Sequence, residues 1–150
     1  MANPIRVGHV ALRVGNLAEA AQFYTDVLGF QISLQQGQAI FLTCGHVHHD
    51  LVLVQASKAT PPMDKNGPGL AHLALQVANI DELKAAHAEL KESGVTIKLI
   101  VDHGVTSSFY FSDPDGNNVE FFCNNQESSA EGLAVMLDPN TSINEPLVLD

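Results

Sequence analysis

The stretch "GHVALRVGNLAE" (Gly8 to Glu19) returns 63 residues later in the chain as "AHLALQVANIDE" (Ala71 to Glu82). The two copies share a His, an Ala, a Leu, a Val, an Asn and a Glu at matching positions. Several of the other positions differ only in side-chain size. A repeat of this quality indicates that the chain contains two related modules.

Both copies continue with the same order of predicted elements. An alternating run predicts a strand, an Asn predicts the N-cap of a helix, and an apolar pattern with helical spacing ends at a Gly. Three strand-like runs follow in each copy: Phe30–Leu34, Ala39–Cys44 and Asp50–Gln55, then Val95–Val101, Ser108–Phe111 and Asn118–Cys123. The sequence therefore predicts an α+β fold that consists of two tandem βαβββ modules.

The modules are predicted at residues 4–57 and 69–123, and together they form a single domain over residues 1–123. The segment that joins them, residues 58–68, is rich in Pro and Gly and is typical of a linker. Residues 124–150 form a C-terminal tail, in which a short helix is predicted around Ala130–Leu137. The pattern leaves open whether this tail covers a pocket, contacts another subunit or is disordered.

The composition excludes several classes of partner. The chain of 150 residues has 7 Lys and Arg against 17 Asp and Glu, a net charge of −10, which disfavours binding to nucleic acid or anionic membranes. It has no apolar run of membrane-spanning length and no signal-peptide pattern, so we expect a soluble, cytoplasmic protein. The two cysteines, Cys44 and Cys123, are expected to be free, buried thiols.

Two histidines and one glutamate are candidate metal ligands. Side chains alternate along a strand, and the repeat gives His9 and His72 equivalent positions, so their imidazoles can converge. Glu120 lies in the apolar run "NVEFF", where a carboxylate is costly unless a cation or hydrogen-bond donors compensate it. An edge strand with Glu120 in water is the alternative. Such a His, His, Glu set is typical of non-haem Fe(II), and it also suits Mn, Ni, Co or Zn.

Three stretches together resemble a known superfamily: "GHVALRV" (Gly8 to Val14), "AHLALQV" (Ala71 to Val77) and "FYFSDPDGNNVEFF" (Phe109 to Phe122). They resemble the vicinal oxygen chelate superfamily, which includes glyoxalases, bleomycin-resistance proteins, fosfomycin-resistance enzymes and type I extradiol dioxygenases. The resemblance covers residues 4–123. It implies a curved, mostly antiparallel sheet around a metal-binding cleft, in which His9, His72 and Glu120 hold the metal.

Two further stretches resemble the extradiol dioxygenases within that superfamily. They are "HHDLVL" (His48 to Leu53) and "DHGVTSSFYFSDPDGNNVE" (Asp102 to Glu120). The resemblance implies that His49 is the acid–base residue and that His103 and Tyr110 support the reaction.

The reaction that this resemblance implies is Fe(II)-dependent cleavage of a small aromatic diol by dioxygen, next to the two hydroxylated carbons. A homo-oligomer is expected, but the resemblance leaves open whether the modules pair within one chain or between two. Three aromatic residues, Phe109, Phe111 and Phe122, are expected to line the substrate pocket.

Other members of the superfamily supply the alternatives. A glyoxalase-like isomerase or lyase normally has a fourth ligand, a Glu late in the first module. No Glu occurs between Phe30 and Pro62, where Asp50 is the only carboxylate. A fosfomycin-type transferase must hold an anion, and the chain has no Lys or Arg after Lys98. A metal-free binding protein of the bleomycin-resistance type fits the charge of −10, but it has no need of the complete ligand set.

Overall fold

The computed structural model describes residues 4–57 and 67–149. The chain divides into two compact units, Met1–Met63 and Asp64–Asp150. Most of the predicted linker, residues 58–66, lies outside the described residues. Within the described residues, no helix is long and apolar enough to cross a membrane.

The first unit has the predicted order of elements. Its sheet has the strand order β1-β4-β3-β2, in which β1 and β4 are parallel and the other pairs are antiparallel. After α1 the helix continues as π-helix over Phe23–Val27. The elements are β1 (Val10–Val14), α1 (Leu17–Gln22), β2 (Gln31–Gln36), β3 (Ala39–Thr43) and β4 (Leu51–Gln55).

Local sequence explains the start of α1 and the core beneath it. The Oδ1 of Asn16 accepts hydrogen bonds from the backbone N–H groups of Ala18 and Glu19, at 3.1 and 3.2 Å. This satisfies donors that the first turn of a helix leaves free. The alternating residues Leu12 and Val14 of β1 are buried, as the period of a half-buried strand predicts.

The second unit repeats this arrangement and adds to it. Its sheet has the order β5-β8-β7-β6-β9, with β5 parallel to β8 and the other pairs antiparallel. The elements are β5 (Leu73–Gln76), α2 (Ile80–Glu92), β6 (Leu99–Asp102), β7 (Thr106–Ser112), β8 (Asn118–Asn124), α3 (Ser129–Leu137) and β9 (Glu145–Pro146). The predicted α+β class and the two mostly antiparallel βαβββ modules are confirmed, with one sheet in each unit.

Helix α2 packs through one face onto its sheet. Asn79 caps its N-terminus, and Leu83, His87 and Leu90 are buried. The ring of His87 makes an edge contact with Phe109, with ring centroids 5.4 Å apart. Helix α2 therefore contributes to the core of the second unit rather than to a polar site.

Strand β6 is shorter than its sequence pattern predicts. It begins at Leu99 and not at Val95, because the N–H of Val95 bonds to the carbonyl of Leu90, 2.9 Å away, and so closes the end of α2. Strand β7 is longer than predicted, since its ladder with β8 runs from Thr106 to Ser112.

The tail packs against the second unit. The predicted helix is confirmed as α3, whose N-terminus has a capping box formed by Ser128 and Glu131. Strand β9 pairs with β6, and Leu149 is buried. The sequence did not predict β9, because a two-residue strand that contains Pro146 shows no alternating pattern.

Candidate metal centre

The second unit brings together His72 and Glu120. The parallel register pairs Ala74 with Glu120, so the carboxylate lies beside the start of β5. Its Oε2 is 3.1 Å from the Nε2 of His72, and Glu120 is only 6% exposed. Two donor atoms bound at right angles to one cation, each at about 2.1 Å, lie about 3 Å apart. The spacing of this pair therefore fits two neighbouring ligands of a single metal ion.

The position of His72 is fixed from β8. The Nδ2 of Asn118 donates to the carbonyl of Ala71 at 3.1 Å, and the Nζ of Lys98 donates to the Oδ1 of Asn118 at 3.1 Å. This contact could not be predicted from the sequence, because Asn118 follows "DPDGN" and looks like one more turn residue. The contact holds the backbone next to a candidate ligand.

Tyr110 is the nearest partner of Glu120 on β7. The two residues face each other across the antiparallel ladder, and the Tyr110 hydroxyl donates to Glu120 Oε1 at 2.8 Å. Burial raises the pKa of Tyr110 above its ordinary value of 10.0, and the hydrogen bond to Glu120 and its negative charge raise this pKa further. The phenol therefore stays protonated near neutral pH and acts as a donor to the carboxylate.

His103 extends the cluster beyond Tyr110. Its Nε2 lies 3.0 Å from the Tyr110 hydroxyl, and its Nδ1 lies 2.7 Å from the carbonyl oxygen of Ile143. A carbonyl oxygen only accepts, so Nδ1 carries a proton and Nε2 faces the phenol. His103, Tyr110 and Glu120 thus lie in a row, each within hydrogen-bond distance of the next, which we call the His103 row.

The count of protons in the His103 row defines what it can do. When His103 is neutral, its proton is on Nδ1, and the single proton of Tyr110 lies between two acceptors, His103 Nε2 and Glu120 Oε1. One further proton on Nε2 would complete both hydrogen bonds. The row can therefore take up a proton from a neighbouring group and return it.

The first unit brings together His9 and His49. Their ring centroids are 4.5 Å apart, and the His49 ring makes an edge contact with Phe41 at 5.3 Å. His9 directly precedes β1 and is exposed, whereas His49 lies in the loop before β4 and is partly exposed. The predicted acid–base residue and one predicted ligand are therefore neighbours.

The pKa of His49 lies below its ordinary value of 6.5. Partial desolvation of its ring is the main cause, and the neighbouring imidazoles of His48 and His9 add to it, while Asp50 acts in the opposite direction. His48 is close indeed, since its Nδ1 lies 2.5 Å from that of His49. A neutral His49 at neutral pH is able to accept a proton.

Hydrogen bonds within the loop hold His49 in place. The Oδ2 of Asp50 accepts from the N–H of Cys44 at 2.8 Å, and the Thr43 hydroxyl donates to the carbonyl of Val47 at 2.6 Å. The carbonyl of Asp50 also accepts from the N–H of Val10, at 3.0 Å. Asp50 therefore connects the loop that carries His49 to the strand that follows His9.

The predicted pocket lining needs a correction. Phe109 and Phe111 are fully buried, and both make edge or tilted contacts with Phe121 or each other in the core of the second unit. Because side chains alternate along β7, Phe109 and Phe111 lie on the face opposite Tyr110. The prediction that these two line the pocket is wrong. Phe122 is two residues from Glu120 on β8 and shares its face.

The six predicted site residues divide between the units. The second unit holds His72, His103, Tyr110 and Glu120 in one cluster, and the first holds His9 and His49. Taken separately, neither unit contains three His, Cys, Asp or Glu side chains, among those described, in position to hold one metal ion. The place of His9 as a third ligand remains a prediction.

Comparisons with known proteins agree on the family. A model of the glyoxalase/bleomycin resistance protein/dioxygenase superfamily matches residues 6–121. Biphenyl-2,3-diol 1,2-dioxygenase 2 of Rhodococcus globerulus is 30% identical over 134 residues, which cover 89% of this chain and 70% of that protein. Glutathione transferase FosA of Serratia marcescens is 30% identical over 115 residues, which cover 76% of this chain and 77% of that protein.

A solved structure shows the same fold. The integron cassette protein HFX_CASS4, from the mobile metagenome of the Halifax Harbour sewage outfall, has a TM-score of 0.64 and 27% identity to this chain. The similarity covers 80% of this chain and 99% of that one.

Proposed function

This chain belongs to the glyoxalase/bleomycin resistance protein/dioxygenase superfamily, and on that premise we propose that it is an Fe(II)-dependent extradiol dioxygenase for a catechol-type aromatic diol. The His103 row is the observation that carries this proposal. A buried carboxylate that is spaced to share a metal with His72 accepts from a phenol, and that phenol in turn contacts an imidazole. This arrangement supports both metal binding and proton transfer. The similarity to a biphenyl-2,3-diol dioxygenase supports the same reaction.

The proposed ligands are His9, His72 and Glu120. Imidazole and carboxylate are the ligand types that non-haem Fe(II) prefers, and Mn, Ni, Co or Zn are alternatives for the same set. When bound, Fe(II) supplies open coordination positions at which both diol oxygens and dioxygen can meet.

Tyr110 orients the proposed ligand Glu120, and His103 provides an acceptor for a proton. By accepting from Tyr110 through Oε1, Glu120 keeps its Oε2 directed at the side of His72. The diol must lose a proton on binding. The open acceptor at His103 Nε2, which faces the Tyr110 hydroxyl, can hold a proton. His49, neutral at neutral pH, is the proposed base for the diol hydroxyl.

The register of the strands disfavours the isomerase. The ladder pairs Ala74 with Glu120 in the second unit and Ala11 with Val52 in the first. Since Ala11 and Ala74 are equivalent in the repeat, a carboxylate equivalent to Glu120 would lie at position 52, where the chain has valine. Asp50 does not replace it, because its carboxylate binds the loop at Cys44.

Anaerobic reconstitution tests the proposal. The full chain is loaded with Fe(II) without oxygen, mixed with a panel of single-ring and two-ring catechols, and then exposed to air. We expect a yellow ring-cleavage product and the uptake of one dioxygen per diol. Iron-loaded protein that consumes no dioxygen with any member of the panel would contradict the proposal. Isomerase and glutathione-transferase assays on the same sample would then identify the alternative.

We also propose that the chain forms a homo-oligomer. Related proteins pair such modules either within one chain or between two chains, and pairing between two chains requires at least a dimer. Light scattering of the purified full chain is expected to give a mass of at least two copies. A fully active monomer would contradict it.

A further inference from the structure

The C-terminal segment, residues 125–149, contacts the hairpin turn that carries His103. This hairpin turn runs from Asp102, the last residue of β6, to Thr106, the first residue of β7. At the start of the segment the N–H of Asn125 donates to the carbonyl of Val105 at 3.0 Å. The side-chain amides of Asn125 and Gln126 both donate to the carbonyl of Gly104 at 3.1 Å.

The other end of the segment reaches the same hairpin. Strand β9 pairs Glu145 with Asp102, and this pairing holds Ile143, two residues before Glu145, beside the His103 ring. The carbonyl of Ile143 lies 2.7 Å from His103 Nδ1. The turn between α3 and β9 is itself fixed by a hydrogen bond of 2.7 Å from the Thr141 hydroxyl to the carbonyl of Val135.

Gly104 shows how closely the two segments approach. Its φ of +75° lies in the left-handed region, and an added Cβ would lie 2.8 Å from Thr141 Cγ2 and 2.9 Å from the carbonyl oxygen of Ser142. The second of these is a backbone atom that cannot move aside by side-chain rotation. Only glycine at this position permits the contact between the hairpin and the segment.

We propose that the C-terminal segment is a positioning element for His103. The Ile143 carbonyl holds the proton of His103 on Nδ1 and so directs Nε2 at Tyr110. In histidine, the hydrogen bond made by one ring nitrogen decides the protonation of the other. Without this acceptor the ring is free to turn away, or to place its proton on Nε2, and either change removes the acceptor at the end of the His103 row.

The acceptor of the His103 proton is the backbone carbonyl of Ile143, so the proposal distinguishes side-chain changes from backbone changes. Ile143→Val keeps the carbonyl, so it should leave the ring of His103 unchanged. A change that moves the backbone of the segment should alter it. Its catalytic consequence rests on the proposed function, whereas the ring orientation does not depend on any activity.

The test compares two glycine variants of the full chain, G104A and G94A. Gly94 has a φ of +81°, and nothing lies within 4 Å of an added Cβ there, so G94A carries the same backbone strain without the clash. Proteins labelled with ¹⁵N-histidine, without added metal, report the protonated ring nitrogen by long-range ¹H–¹⁵N correlation. We expect a proton on His103 Nδ1 in the wild type and in G94A, and a changed His103 pattern in G104A.

A second variant avoids any clash. Replacing Asn144 with the α-hydroxy acid that has the same side chain turns the peptide bond after Ile143 into an ester. The ester carbonyl is a weaker hydrogen-bond acceptor, and every side chain stays the same. This variant too should shift the His103 signals. With iron, G104A and the ester should lower kcat about tenfold or more relative to G94A, at equal iron content.

Two results would overturn the positioning role. They are a wild type that is protonated only on His103 Nε2, and an ester variant whose His103 signals match the wild type. If the NMR shifts occur but no ring cleavage is found in the wild type, the proposed function has failed and the positioning stands.

Discussion

The two units are built on the same strand plan but differ at two facing positions. In the second unit Tyr110 faces Glu120 across the β7–β8 ladder. In the first unit the equivalent pair on β3 and β4 is Phe41 and Val52. The first unit therefore lacks both the carboxylate and its phenol partner, although its sheet has the same order. The difference teaches that the fold does not need the polar pair, which points to a role in chemistry.

Energetics support this interpretation. Glu120 is 6% exposed, and burial of a carboxylate is costly unless hydrogen bonds or a cation compensate it. Tyr110 and His72 supply that compensation in the second unit. Phe41 and Val52 bury only apolar surface and need none. A polar pair that is costly to bury and that the fold does not need is expected to matter most for binding and turnover.

The largest effect should follow from placing the apolar pair of the first unit, Phe and Val, at the positions of Tyr110 and Glu120. The double variant Y110F/E120V gives the second unit the residues of the first. We expect it to lose stoichiometric iron binding and all measurable ring cleavage, because the proposed ligand Glu120 is gone. Its free energy of unfolding should stay within about 2 kcal/mol of the wild type or rise, since a buried ionic cluster is replaced by apolar groups. Metal analysis and chemical denaturation measure both quantities.

That outcome has a clear opposite. If the double variant unfolds while the single variant F41Y in the first unit stays folded, then Tyr110 and Glu120 are structural. The separation of fold from chemistry would then be wrong.

The reverse transplant should have the next largest effect. V52E places a carboxylate opposite Ala11, two residues after His9, as Glu120 lies opposite Ala74, two residues after His72. If His9 is a ligand, as proposed, this carboxylate would fill a coordination position that the substrates need, so we expect turnover to fall at least about tenfold while metal content stays equal or rises. Val52→Gln is the matched uncharged control. Unchanged turnover in V52E with full iron content would argue against His9 as a ligand.

Removal of one hydroxyl should have a smaller effect. Y110F keeps the ring but leaves Glu120 Oε1 and His103 Nε2 without their shared partner. We expect kcat to fall by about 10- to 100-fold, with iron affinity reduced less, because Glu120 and His72 are unchanged. F41Y adds a hydroxyl at the equivalent position of the first unit and should leave kcat near the wild-type value. Equal losses in both variants would show that the effect is one of packing.

The sequence predicts the local patterns well and the contacts made by backbone atoms poorly. The repeat was sufficient to predict both modules and to mark His72, and the motif around Tyr110 marked the other three residues that cluster in the second unit, His103, Tyr110 and Glu120. The Ile143 carbonyl could not be found, because any residue carries one and only the pairing of β9 brings it to His103. Phe109 and Phe111 were misassigned since aromatic residues suit a pocket and a core equally, and only the alternation relative to Tyr110 separates them.

The smallest effect is expected on the labelling rates of the two thiols, one in each unit. Both thiols are free; Cys123 is buried as predicted, but the prediction that Cys44 is buried is wrong, because it lies in an exposed loop. Partial desolvation raises the pKa of both thiols above the ordinary value of 9.0, and the charge of Asp50 raises that of Cys44 further. D50N removes this charge, so the Cys44 pKa should fall, its thiolate fraction at pH 8 should rise, and iodoacetamide should label it a few-fold faster. Cys123 is 1% exposed and lies in the other unit, so its labelling should not change. Mass spectrometry of the two cysteine peptides distinguishes these rates. Faster labelling of both thiols would mean that D50N loosens the whole chain, and that Asp50 acts on more than the loop that carries His49.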